Sequence, residues 1–177
     1  MRDYPSAMST RPHVVILGGG FGGLQVALGL ARAPVRVTLV DQNNHHLFQP
    51  LLYQVATAGL ALTDIAVPLR QIVRKQANTT VLMAQATSID VARRVVVLAD
   101  GELAYDRLVL ATGAVGTWFG HDEWAQHALA LKDSRDALEI RSRILLAFEA
   151  AERTSDEAER ARLLTFVVIG GGPTGVE

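Results

Sequence analysis

The stretch His13–Asp41, HVVILGGGFGGLQVALGLARAPVRVTLVD, decides the fold. His13–Leu17 is a short apolar run rich in β-branched residues, the composition of a strand buried in a parallel sheet. A glycine turn follows, Leu24–Ala33 reads as a helix closed by Pro34, and Val35–Val40 is a second apolar run ending on Asp41. Strand, turn, helix and strand within about thirty residues make the βαβ unit of a doubly wound α/β sheet. Residues 13–31 carry no acidic or basic side chain and could pass for a membrane span on hydropathy alone. Five glycines in the six positions 18–23 oppose a continuous helix there, so the α/β reading is preferred.

Around this unit the composition is that of a well-buried globular chain. The 177 residues include 49% hydrophobic and 20% charged side chains, with a net charge of −1. Near-neutrality removes any global attraction to nucleic acid or anionic lipid. The absence of cysteine excludes disulfide frameworks, thiolate nucleophiles, cysteine zinc sites and iron–sulfur clusters from these residues. Residues 1–12 carry no apolar core of a secretory signal and read as a loose tail. A cytoplasmic setting fits.

Beyond Asp41 the order continues. The segment LFQPLLYQVATAGLAL is apolar but neither cleanly helical nor cleanly alternating. Pro68 opens a helix to about Lys75 with Leu69, Ile72 and Val73 on one face. Val81–Asp90, Arg94–Ala99 and Arg107–Ala111 read as a three-stranded meander, with Asp100-Gly101 turning between the last two. Ala114–Lys132 is a connector in which Trp118 and Trp124 read as packing residues. Asp133 or Ser134 caps a helix in which Ala137, Ile140, Ile144, Ala147 and Ala151 recur at helical spacing. Glu152–Arg162 reads as the solvated end of that helix and the next turn. Thr165–Ile169 is a further apolar strand. The expected division is therefore 1–12 tail, 13–120 first dinucleotide unit, 121–163 connector and helix, and 164–177 the start of a second unit.

Gly18, Gly20 and Gly23 match G-x-G-x-x-G directly after a strand and at the opening of a helix. The first glycine permits a tight turn, the second lets a pyrophosphate approach the backbone, and the third lets the helix pack closely on the strand. Asp41, twenty-three residues after Gly18, is placed to hold a ribose hydroxyl pair. A second copy, Gly170-Gly171-Gly172-Pro173-Thr174-Gly175, follows the run Thr165–Ile169. Two such fingerprints imply two dinucleotides and favour electron transfer between cofactors. His45 and His46 suit local hydrogen bonding or a cofactor-proximal role better than a metal, since adjacent histidines do not readily share one ion.

These residues resemble the two-dinucleotide flavoprotein superfamily, in which one Rossmann-like unit binds FAD and a second binds NAD(P)H. There a β-meander replaces the usual crossover helix. Tyr105–Gly113, YDRLVLATG, resembles its second signature, and HHLFQPLLYQVATAGL resembles the type II NADH dehydrogenases. Disulfide reductases of the glutathione type need a cysteine pair that this chain lacks.

The resemblance places FAD along Gly18, Gly20, Phe21, Gly22, Gly23, Asp41, Gln42, Ala86, Ala111, Thr112 and Gly113, with Gln49 and Pro50 near its isoalloxazine. Ala86, before a Ser88–Asp90 turn, matches the position that pairs with the adenine edge. It places NADH, or NADPH, on Gly170, Gly172, Pro173, Thr174 and Gly175. Glu177 matches an acid implicated in quinone reduction. As a residue at a helix N-terminus it is equally a dipole-stabilising carboxylate. The implied partner is a quinone, with peripheral membrane contact through later segments and a homodimer. Family chains are about twice this length or more, so the sequence reads as an N-terminal portion. A ferredoxin- or rubredoxin-reductase-like flavoprotein, or a nucleotide-binding fragment without turnover, remain as alternatives.

Overall fold

Every residue of His13–Leu17 is buried, and the reason is that both faces of the sheet containing it are covered. The computed structural model describes residues 2–3 and 11–177. In chain order the elements are β1 (Arg2–Asp3), β2 (His13–Leu17), α1 (Phe21–Gly29), β3 (Arg36–Asp41), β4 (His45–Leu47), a 3₁₀ turn (Gln49–Leu51), α2 (Leu52–Ala56) and α3 (Leu62–Ile65). There follow β5 (Ala66–Pro68), α4 (Leu69–Ile72), β6 (Thr79–Met83), β7 (Ala86–Asp90), β8 (Val95–Leu98), β9 (Gly101–Ala104) and β10 (Arg107–Leu110). A second 3₁₀ turn (Asp122–Gln126), α5 (Ser134–Arg153), α6 (Glu157–Leu163) and α7 (Pro173–Val176) complete the chain. The tail expectation for residues 1–12 lies largely outside the described residues, though Arg2 and Asp3 pair in parallel with Gly101 and Glu102.

These elements form two units, residues 1–47 with 66–114 and residues 48–65 with 115–177. The first is built on a parallel sheet of order β10-β2-β3-β6. Alternate residues divide between two layers. Val14, Ile16, Val37, Leu39 and Val81 pack with Leu24 and Ala27 of α1 and with Leu69 and Val73. Val15, Leu17 and Val40 pack instead with Val96, Leu98 and Leu103 of the meander β7-β8-β9. The meander thus occupies the layer that helices fill in a sheet wound on both sides.

The run Val81–Asp90 is two strands: β6 joins the parallel sheet beside β3, and the chain changes sheets between Met83 and Ala86. The third meander strand is Gly101–Ala104, whereas Arg107–Leu110 returns to pair with β2. Ser88–Asp90 lies inside β7 and is not a turn. α1 begins at Phe21 and ends at Gly29, because the glycine turn itself winds into the helix and Gly29 favours its end. The helix after Pro68 is a single turn ending at Ile72.

His13 ties the two sheets of this unit together. Its amide donates to the Asp106 carboxylate at 2.6 Å, Nδ1 lies 2.7 Å from the Ala104 carbonyl, and Nε2 lies 2.8 Å from the Thr38 hydroxyl. A carbonyl can only accept, so Nδ1 carries the proton. Burial, with the nearby Arg36 charge, holds this imidazole below its ordinary pKa, against the opposing pull of the Ala104 carbonyl and Asp106.

In the second unit α2 packs on α5, and Arg141 of α5 donates to the Leu60 carbonyl at 2.8 Å. The spacing expected for α5 holds, with Ala137 and Ala151 fully covered and Ile140, Ile144 and Ala147 half-buried on the same face. Asp133 is its cap, accepting from the amides of Arg135 and Asp136 while Asp136 returns a bond to the Asp133 amide. The charged segment after it holds a helix of its own, α6, capped by Asp156. Among the described residues no helix is long and apolar enough to cross a membrane.

Candidate dinucleotide site

The carboxyl ends of β2, β3, β6 and β10 share one edge of the parallel sheet, and the residues that follow them meet there. Gly18 donates to the Val40 carbonyl at 2.8 Å, Ala111 to the Leu17 carbonyl at 2.8 Å, and Ala84 to the Asp41 carbonyl at 2.9 Å. This is the edge where open α/β sheets bind ligands. Gly18 has φ +104°, and the Ala111 carbonyl stands where its Cβ would be. Gly20 precedes α1 with φ −70°, and a Cβ built on it would meet nothing within 4 Å. Gly23 permits no side chain, because the Gly18 carbonyl lies in that space. No side chain caps α1, and its first turn contains no acid. The amides of Gly22 and Gly23 in that turn meet no side-chain cap and are placed to face an anion, and the backbone beside Gly20 is open enough for one to approach.

Asp41 accepts from the Gly19 amide through Oδ2 at 2.6 Å and from the Asn43 amide through Oδ1 at 2.7 Å. A carboxylate has about four acceptor positions, so two remain for hydroxyl groups. The carbonyl of Gly19 is taken by His46, whose Nδ1 lies 3.1 Å away and whose ring meets the Phe21 edge-on at 4.9 Å. A Cβ on Gly19 would lie 2.6 Å from the fully buried Leu69 side chain. Sequence reasoning gave His46 a local hydrogen-bonding or cofactor-proximal role but did not join it to Gly19. No local pattern links residues 27 positions apart; only the doubled histidine drew attention to that segment. His45 bonds locally, with Nδ1 3.2 Å from Asn44.

Of the other expected residues, Gln42 is exposed immediately after Asp41, Ala86 begins β7, and Ala111–Gly113 follow β10, with Gly113 at φ +73°. All belong to the first unit. Gln49 and Pro50 lie in the first 3₁₀ turn of the second unit, where Gln49 donates to the Lys132 carbonyl at 3.3 Å. Trp124, in the second 3₁₀ turn, is part-exposed and stacks on His121 with ring centroids 4.2 Å apart.

The second glycine motif repeats the geometry of the first. Gly170 has φ +111°, Gly172 precedes α7 with φ −73°, and a Cβ on Gly175 would strike the Gly170 carbonyl. Pro173 and Thr174 open α7, and the Glu177 amide closes it on the Pro173 carbonyl at 3.0 Å. The strand expected over Thr165–Ile169 does not form. Its side chains are exposed, with Val167 at 81% and Ile169 at 84%, and among the described residues no strand lies beside it to complete a ladder.

The sequence model of the pyridine nucleotide-disulphide oxidoreductase family matches residues 12–177. The chain belongs to that family. The family's name refers to disulphide chemistry, whereas these 177 residues contain no cysteine. The chain is 51% identical over 178 residues to the type II NADH:quinone oxidoreductase Ndh of Mycobacterium tuberculosis, covering 98% of this chain and 38% of that protein. It is 35% identical to the external alternative NADH-ubiquinone oxidoreductase of Yarrowia lipolytica mitochondria, covering 99% and 32% respectively. The fold matches NDH2 of Plasmodium falciparum, solved in complex with RYL-552, with a TM-score of 0.86 and 28% identity over 94% of this chain and 35% of that one. The chain thus spans about a third of the length of the relatives it matches.

Proposed function

We propose that these residues form the FAD-binding part, and the beginning of the NADH-binding part, of a type II NADH:quinone oxidoreductase. The observation that carries the reading is the turn Gly18–Gly23, open to a ligand at Gly20 and closed against Asp41 at Gly19. Its geometry fits an adenine dinucleotide: the Gly20, Gly22 and Gly23 backbone at the start of α1 for the pyrophosphate and a carboxylate with spare acceptor positions for the ribose. Ala111–Gly113, which crosses directly over Gly18, adds backbone near the same ligand. Bound FAD would supply the redox chemistry, accepting a hydride from NADH and passing two electrons on.

The protein's own contribution is binding and orientation. Gly170, Gly172, Pro173, Thr174 and Gly175 would hold the second pyrophosphate, since their turn repeats the first. Gln49 and Pro50 are assigned to the flavin ring and Glu177 to the nicotinamide side. The similarity to a type II NADH:quinone oxidoreductase supports a quinone as the acceptor, and peripheral attachment at the cytoplasmic membrane face and a homodimer are part of the same proposal.

The test is a visible spectrum of the chain after FAD addition and desalting, followed by anaerobic NADH. Retained flavin that bleaches supports both assignments. Retained flavin that does not bleach confines the activity to FAD binding, which the unpaired Thr165–Ile169 segment would explain. Loss of all flavin removes the reading.

A further inference from the structure

We infer that His46 is a positioning residue for the pyrophosphate-binding turn, acting through the backbone of Gly19; this rests on the FAD-site reading above. Gly19 is held on three sides. Asp41 takes its amide at 2.6 Å, His46 takes its carbonyl at 3.1 Å, and Leu69 fills the space a side chain would need.

The consequence lies one residue on. In a trans peptide the carbonyl oxygen and the next amide hydrogen lie in one plane and point in opposite directions within it. Fixing the Gly19 carbonyl on His46 therefore fixes the Gly20 N–H in the opposite direction. Gly20 is the residue that opens α1 and whose surroundings are clear enough to admit a ligand. Without the His46 bond the Gly19–Gly20 peptide is free to rotate, because glycine on both sides imposes little barrier. The amide would then cease to be a preset donor.

The imidazole is itself fixed. It is half-buried, and its ring makes a T-shaped contact with Phe21, the first residue of α1. Since the Gly19 carbonyl only accepts, His46 must carry its proton on Nδ1. Asp41, on the far side of Gly19, fixes the preceding peptide in the same way. Each group thus sets one of the two peptide planes that flank Gly19.

The test titrates FAD, by flavin fluorescence, into the wild-type chain and the variants His46→Leu and His46→Asn, with ADP and adenosine as competitors. Leucine keeps apolar contact with Phe21 but has no donor, whereas the asparagine Nδ2 occupies the position of the histidine Nδ1. His46→Leu is expected to weaken FAD and ADP about tenfold and to leave adenosine within about twofold. His46→Asn should restore the affinity for both diphosphates. FAD and ADP affinities in His46→Leu that match those of the wild-type chain overturn the inference, as does an equal loss for ADP and adenosine, which a merely structural role would give. Independently of any variant, ¹⁵N spectra of the wild-type chain should show His46 protonated on Nδ1; a neutral ring protonated only on Nε2 overturns it. A wild-type chain that binds FAD isolates this question. One that does not bind FAD removes the site reading and the positioning role together.

Discussion

The carbonyl oxygen of Gly18 occupies the space that a Cβ on Gly23 would need, so the tight turn and the helix that follows it close on each other through backbone alone. Gly170 and Gly175 stand in the same relation in the second unit. Gly20, between the first pair, is different, because nothing among the described residues crowds it.

That difference separates stability from binding. Gly23→Ala should lower the unfolding free energy by about 2 kcal/mol, since a backbone carbonyl cannot yield as a flexible side chain would. The helix-propensity gain of about 1 kcal/mol for alanine is too small to offset it. Gly20→Ala should leave stability within about 0.5 kcal/mol yet abolish FAD retention, because the new methyl group enters only the ligand's space. Urea unfolding of the apo chain together with flavin retention after desalting checks both. A Gly20→Ala chain that keeps stoichiometric FAD would contradict the assigned role.

Asp41→Asn tests the double use of one carboxylate. Both oxygens already accept backbone amides, from Gly19 and Asn43. A carboxamide has one acceptor oxygen, so one amide is left facing an NH₂ group. The Asn43 amide is solvent-exposed and can turn to water, which limits the stability cost to about 1 kcal/mol. FAD affinity should fall about tenfold, since the ribose hydroxyls lose their charged acceptor. Unchanged FAD binding with reduced stability would make Asp41 a purely structural residue.

The βαβ start was legible because its signals are local: β-branched runs of strand length, glycines at fixed offsets and an acid at the end of β3. The sheet change between Met83 and Ala86 was not, since Val81–Asp90 contains no glycine or proline to mark it. Gly101–Ala104 was too short and too mixed in composition to read as a strand, although Asp100-Gly101 correctly marked the turn beside it. The return of Arg107–Leu110 to β2 depends on pairing across about ninety residues, which no local pattern encodes. Thr165–Ile169 shows the reverse case, a strand composition without a partner strand. The clamp on Gly19 needed three side chains from separate elements and only geometry could assemble it.

The second unit offers a purely local test at the start of α5. Asp133 accepts from two amides of the first turn, and Asp136 completes the reciprocal bond. Burial tends to raise the Asp133 pKa, but the Asp136 amide, together with Arg135, outweighs it and leaves the carboxyl below its ordinary value. Asp133→Ala should cost about 1 kcal/mol and fray α5 from its N-terminus. Amide exchange at Arg135 and Asp136 should accelerate while that near Ala151 does not. Uniform acceleration along the helix would indicate loss of the whole unit and not of a cap.

His13 predicts how the first unit responds to acid. Its folded pKa lies below the ordinary imidazole value of about 6.5, so the unfolded chain binds more protons between the two values and stability rises with pH there. The stabilisation is fully present above about pH 6.5 and is lost as pH falls toward the folded pKa, with a slope of at most about 1.4 kcal/mol per pH unit for one group. His13→Asn keeps a donor for the Ala104 carbonyl, gives up the Thr38 bond and does not titrate. The variant should therefore be less stable at about pH 7.5 by roughly 1–2 kcal/mol, and the gap should narrow by about pH 5.5 as the wild type loses its pH-dependent share. Urea unfolding of both chains at the two pH values gives the comparison. A gap that stays constant would place the acid sensitivity elsewhere and leave His13 as a bridge between the two sheets with no titration linked to folding.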